Sequence, residues 1–75
     1  MKLRVLSASQ VIRALASAGF TTSRQSGSHI IMIKFVDGDK ITVVVPKHRE
    51  LARGTLLSII SQSRMTKEKF IRLLK

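Results

Sequence analysis

Two histidines and a few cations carry most of the chemistry available to this chain of 75 residues. His29 closes the run Arg24-Gln25-Ser26-Gly27-Ser28-His29, in which a turn-forming Ser-Gly precedes an apolar stretch from Ile30 to Val36. That spacing puts an imidazole where strand meets loop, held by the scaffold yet open to a substrate. His48 follows a second apolar run, in Val45-Pro46-Lys47-His48. An imidazole can accept or donate a proton near neutral pH, and an arginine such as Arg24 grips a phosphate through paired N–H donors.

The charge indicates the kind of substrate. Fourteen Lys and Arg against four Asp and Glu give a formal net charge of +10, which favours a polyanion because each phosphate neutralised releases condensed counterions. Nucleic acid is the expected partner, although an acidic protein or an anionic membrane surface would answer the same charge. Cleavage of RNA asks little of a protein, because the substrate brings its own nucleophile, the 2′-hydroxyl. A base for its proton, an acid for the leaving 5′-oxygen and a cation for the phosphorane are sufficient. His29 supplies the first or second of these, and Arg24 or Lys47 the third.

Other chemistries are poorly served. There is no cysteine, hence no thiolate nucleophile, disulfide or thiolate metal site. The four acids, Asp37, Asp39, Glu50 and Glu68, form no H-E-x-x-H or similar pattern, so no metal site is expected. Asp37-Gly38-Asp39 lacks the further ligands of a calcium loop and reads as a hairpin turn. Gly27 and Gly38 are isolated, not a phosphate-cradling loop.

The elements that position these groups follow from spacing. Ser7 and Gln10 form a capping box, Ala8, Val11, Ile12, Leu15 and Ala18 recur at helical spacing, and Gly19 stops the helix. Phe20 to Gln25 reads as an edge strand, with Ser26-Gly27 as its turn. Ser28 to Val36 reads as a strand buried on both faces. A hairpin follows, with Gly38-Asp39 as its loop, and Ile41 to Val45 is the third strand, ended by Pro46. Thr55 is expected to cap a helix carrying Leu56, Leu57, Ile59 and Ile60, and Thr66 a short last helix with Phe70, Ile71 and Leu74 inward. This order implies an α+β fold: one helix, a three-stranded antiparallel sheet, a second helix and a short C-terminal one, with the helices on one sheet face.

Counting residues from those turns sets a register. It pairs Asp37 with Lys40 and runs on to His29 opposite His48, and in the first hairpin it sets Arg24 opposite His29. Directly opposed residues have Cβ atoms roughly 5 Å apart. The expectation is that Arg24, His29 and His48 meet at one end of the sheet. Lys47, Arg49 and Arg53 precede a helix N-terminus, where side chains and free N–H groups together hold phosphate, or form a solvated loop. Ser28 either orients His29 through its hydroxyl or serves the turn alone.

A chain of this length holds one domain, residues 1–75. Its hydrophobic fraction of 44% fits a packed core decorated with charge, not a disordered basic tail. The start, Met1 to Leu6, lacks the apolar run of a signal peptide, and no stretch is long enough to span a bilayer. A soluble, cytoplasmic protein without cofactor is expected.

Several blocks in order carry a resemblance over nearly the whole chain, from about Ser7 to Leu74. They are Gly19-Phe20 after the first helix, Arg24 to His29, Pro46-Lys47-His48, and Gly54-Thr55-Leu56-Leu57-Ser58-Ile59-Ile60, with Phe70 in the closing helix. In these the sequence resembles the HicA family of toxin mRNA interferases. The resemblance implies a double-stranded-RNA-binding-domain-like fold and a ribosome-independent endoribonuclease that degrades mRNA. It also implies a HicB-type antitoxin, encoded beside the toxin, that masks the active site. It assigns the catalytic role to His29 and none to His48. Phe20 stands where tryptophan is frequent, and a single histidine follows Ser28 where some relatives carry more. Neither departure removes a catalytic group.

Two readings from other classes remain open at this level. A non-catalytic RNA-binding module would use the same charge and fold, shifting RNA in a gel while leaving it whole. With three Phe and no Trp or Tyr, a base-stacking reader of single strands has little to work with. A basic protein-interaction domain would bind an acidic partner in a salt-sensitive way without affinity for RNA.

Overall fold

A computed structural model describes residues 5–74; part of the segment read for a signal peptide, residues 1–4, lies outside them. The elements are α1 (Ala8–Ser17), β1 (Thr21–Gln25), β2 (His29–Val36), β3 (Asp39–Pro46), α2 (Arg53–Gln62) and α3 (Lys67–Arg72). The fold is α+β as the residue pattern implies, and the antiparallel sheet has the order β1-β2-β3. Among the described residues, no helix is long and apolar enough to cross a membrane.

Local chemistry sets the helix boundaries. Ser7 caps α1 through its hydroxyl, which accepts the Gln10 N–H at 3.2 Å, while Gln10 Oε1 accepts the Ser7 N–H at 2.9 Å. At the other end Gly19 takes φ +99°, where a side chain would be strained. Its N–H donates to Ala16, and the Phe20 N–H donates to Leu15, the paired bonds of a Schellman stop. Lys34 Nζ then donates to the Ala18 carbonyl at 2.7 Å. Thr66 caps α3 by accepting the Lys69 N–H at 3.1 Å.

The start of α2 differs from the expected one. Ala52, not Thr55, is the N-cap, and it offers no side-chain bond. Leu51 explains this: its N–H donates to the Leu6 carbonyl at 2.8 Å, so the chain is committed to its turn before Thr55 is reached. Thr55 lies inside the first turn of the helix.

Helices cover one face of the sheet. Ile30, Met32, Ile41, Val43 and Val45 point into a core completed by Val11, Leu15, Leu56, Ile59 and Phe70. Burying each such side chain stabilises the fold by about 1.5–3 kcal/mol relative to exposure. The opposite face is uncovered, so β2 is not buried on both faces. Ile31 and Ile33 are half-buried, and Phe35 is 65% exposed.

Both hairpins are offset from the simple count. Val36 pairs with Asp39, so the loop is Asp37-Gly38, whose φ values of 51° and 84° fit the mirror-image turn that suits the twist of two strands. In the first hairpin Gln25 pairs with Ile30 and Arg24 with Ile31. The Ser26 N–H donates to the His29 carbonyl at 2.9 Å, so the loop is Gly27-Ser28. A shift of register between Thr22 and Arg24 marks a bulge in β1.

Candidate active site

His29 opens β2, and its main chain is held from two sides. The Ser26 hydroxyl accepts the His29 N–H at 3.0 Å and donates to the His29 carbonyl at 3.2 Å. Across the sheet, the Lys47 N–H donates to the Ser28 carbonyl at 2.9 Å. The loop that leads into the histidine is therefore bound to itself and to the end of β3. The side chain is fixed as well, for the Ser28 hydroxyl lies 2.9 Å from Nδ1. A hydroxyl can accept from Nδ1–H, and Nε2 is then left as the basic nitrogen.

Directly opposite His29 is Pro46. The Lys47-to-Ser28 bond identifies this as a non-hydrogen-bonded pair, in which facing side chains approach most closely. Proline is tolerated there because no N–H is required of it. Strand and helix then form a groove of about 380 Å³, with His29, Val44 and Pro46 on the sheet side and Gly54, Thr55, Ser58 and Gln62 on α2. The first turn of α2 has neither a side-chain cap nor an acidic residue, so the positive end of its dipole is uncompensated where it borders this groove.

The expected meeting of three residues is only partly present. Arg24 lies on the open face with His29, two residues further along β2, opposite Ile31. His48 does not face His29. It lines a separate cavity of about 250 Å³ beside the start of α1, with Lys47, Arg49, Ser7 and Ile12, and its carbonyl accepts the Ala8 N–H at 3.0 Å. The cause is the offset turn: two residues of register move the partner of His29 from position 48 to position 46. Arg53 is the exposed first residue of α2, so the three cations read as preceding a helix are divided between two places. Among the described residues no group of three or more His, Asp or Glu is gathered as a metal ion would require.

Sequence reasoning read Ser26 as a turn residue and missed its grip on the His29 main chain. It also missed a polar relay: the Val44 N–H donates to Gln62 Oε1 at 3.0 Å, and Gln62 Nε2 donates to the Ser58 hydroxyl at 3.0 Å. The four-residue spacing of Ser58 and Gln62 on one helix face was a visible signal. That the exposed edge of β3 runs beside that face was not.

A family model described as the HicA toxin of bacterial toxin-antitoxin systems matches residues 8–65, a span that holds β1 to β3, α2 and the groove. No curated protein matches the chain.

Proposed function

The chain belongs to the HicA family of toxins of bacterial toxin-antitoxin systems, and from that premise we propose that it is an endoribonuclease cutting mRNA in the cytoplasm, with His29 as its general acid/base. One observation carries the reading. The imidazole, steadied at Nδ1 by Ser28, stands in a groove that leads to the uncapped start of α2. A phosphate in that groove sits between a proton acceptor and a helix N-terminus.

In the proposed reaction the 2′-hydroxyl gives its proton to His29 Nε2 as O2′ bonds to phosphorus. The P–O5′ bond breaks, and the 5′-oxygen takes up the proton now held on His29 Nε2, which returns the imidazole to its neutral form. The products are a 2′,3′-cyclic phosphate and a 5′-hydroxyl. Ser28 accepts from Nδ1–H before and after His29 is protonated, so the same bond serves the imidazole and the imidazolium. Arg24 on the open face meets a flanking phosphate, and Lys47, Arg49 and Arg53 extend the track for the RNA backbone. His48 takes part as a phosphate contact beside Lys47. No metal enters the scheme, since the nucleophile comes from the substrate and the charges from side chains and amides.

A toxin of this kind has a cognate antitoxin, and we take it to be of the HicB type, seated over His29 and the open sheet face. Ile31, Ile33 and Phe35 support this placement, because apolar side chains of that size on an uncovered face mark a contact surface.

The test is cleavage of a long RNA by wild type and His29→Ala, with folding of both checked by circular dichroism, beside a short RNA carrying a single 2′-deoxy residue at the scissile position. Cutting that needs both His29 and the 2′-hydroxyl is the expected result. Undiminished cutting of the deoxy substrate would refute the mechanism. Binding of RNA without cutting would leave an RNA-binding module.

A further inference from the structure

The groove beside His29 has an unusual lining for a protein of net charge +10. None of its lining residues is a Lys, Arg, Asp or Glu, and His29 is its sole titratable group. The cations considered for phosphate binding, Arg24, Lys47, Arg49 and Arg53, all lie outside it. Phosphate is the charged part of a nucleotide, and its base is the neutral part. Beyond the end that takes the reacting phosphate, a neutral lining is therefore matched to the base.

Position within the groove sharpens this. Along β3, Pro46 stands opposite His29 and Val44 stands two residues away, opposite Ile31. Along α2, Gly54 begins the lining, Ser58 follows four residues later, and Gln62 after four more. The Gln62 side chain accepts from the N–H of Val44, so the C-terminal end of α2 lies at Val44. The N-terminal end belongs to the reacting phosphate. The other end offers an apolar surface and a hydroxyl.

That hydroxyl has a fixed donor beside it. Gln62 is fixed by the edge N–H of β3 and donates in turn to Ser58 Oγ at 3.0 Å. The bond occupies a lone pair of Ser58 and leaves its hydrogen to donate. Val44, 38% exposed on the sheet side, gives a flat ring an apolar neighbour. An apolar wall with a few fixed polar groups is the usual composition of a small-molecule site, and about 380 Å³ is within the usual size range.

We propose that the end of the groove between Val44 and the Ser58–Gln62 pair is a nucleobase subsite, which takes the unpaired base next to the scissile bond and reads its edge through the Ser58 hydroxyl. This rests on the ribonuclease reading above. Gln62 is a positioning residue: it acts through Ser58.

The experiment maps the cut sites of wild type, Ser58→Ala and Ser58→Leu on one long RNA by sequencing the product ends, with the fold of each checked by circular dichroism. In parallel, amide shifts of Val44, Ser58 and Gln62 are followed while wild type is titrated with an RNA made uncleavable by 2′-deoxy substitution at the cut. Loss of one hydrogen bond predicts that Ser58→Ala reduces base preference at one position flanking the cut by about fivefold to tenfold. Ser58→Leu fills the subsite and raises KM, and the uncleavable RNA shifts the three amides. If wild type cuts with a base preference that both variants retain, and the amides do not move, the subsite is refuted while the ribonuclease stands. If wild type does not cut RNA at all, the ribonuclease reading fails and takes the subsite with it.

Discussion

The Ser28 hydroxyl and His29 Nδ1 are 2.9 Å apart, although neighbours along a strand project to opposite faces. The pair can meet because Ser28 belongs to the two-residue loop and only His29 belongs to β2. A hydroxyl from the loop thus sets the tilt of a ring on the sheet. Ser28→Ala should lower kcat by about tenfold at little change in KM, the scale of one lost hydrogen bond to an ionisable group. Ser28→Thr, which keeps the hydroxyl, should restore most of it. Equal losses in both variants would mean that Ser28 serves only the turn.

Lys47→Gln and Arg49→Gln should each weaken RNA binding across all sequences. Each should also flatten the slope of log affinity against log salt by about 1. Both side chains border the cavity at the start of α1, away from the groove of His29. Filter binding over a range of salt concentrations checks this. A change in cut-site preference instead would assign them to base recognition.

Phe70 is fully buried although its helix, α3, has only six residues. So short a helix has little stability of its own, and its place depends on this ring. Phe70→Ala should lower unfolding stability by about 3–5 kcal/mol, read from the urea midpoint by circular dichroism. A loss below about 1 kcal/mol would mean that the core closes over the gap.

EDTA should leave the rate of RNA cleavage unchanged, because every group in the proposed reaction is organic. Assays with the chelator in excess, then with magnesium restored, decide it. Activity lost to EDTA and recovered with magnesium would overturn the mechanism.

Elements written in local chemistry were legible in the sequence. The capping box of Ser7 and Gln10, the stop at Gly19 and the Thr66 cap all depend on residues a few positions apart. The apolar runs identified β2 and β3, the Thr- and Ser-rich stretch after Phe20 identified β1, and the Gly27-Ser28-His29 block located the candidate base. What escaped depends on geometry between distant segments. Asp37-Gly38-Asp39 allows two different two-residue loops, and choosing the other moved the whole pairing by two positions. That error brought His48 to His29, where the structure has Pro46. Exposure of one face of β2 was equally hidden, because a continuous apolar run is the same in sequence whether one face is covered or two. The Gln62 relay needs knowledge of which helix lies along which edge, information that spacing alone does not contain.

The tight loop at Asp37-Gly38 closes the end of β2 opposite to His29. Seven residue steps along the strand separate them, roughly 23 Å at the usual rise. Nothing lies within 4 Å of the space that a Cβ on Gly38 would enter, so the tip of the hairpin is open on its outer side. A fluorophore or a short epitope grafted there, with the turn lengthened to accept it, therefore rides on the molecule without entering its groove. The hairpin so becomes a built-in handle: it lets the protein be tethered or imaged while the end of the sheet that carries His29 stays clear of the label.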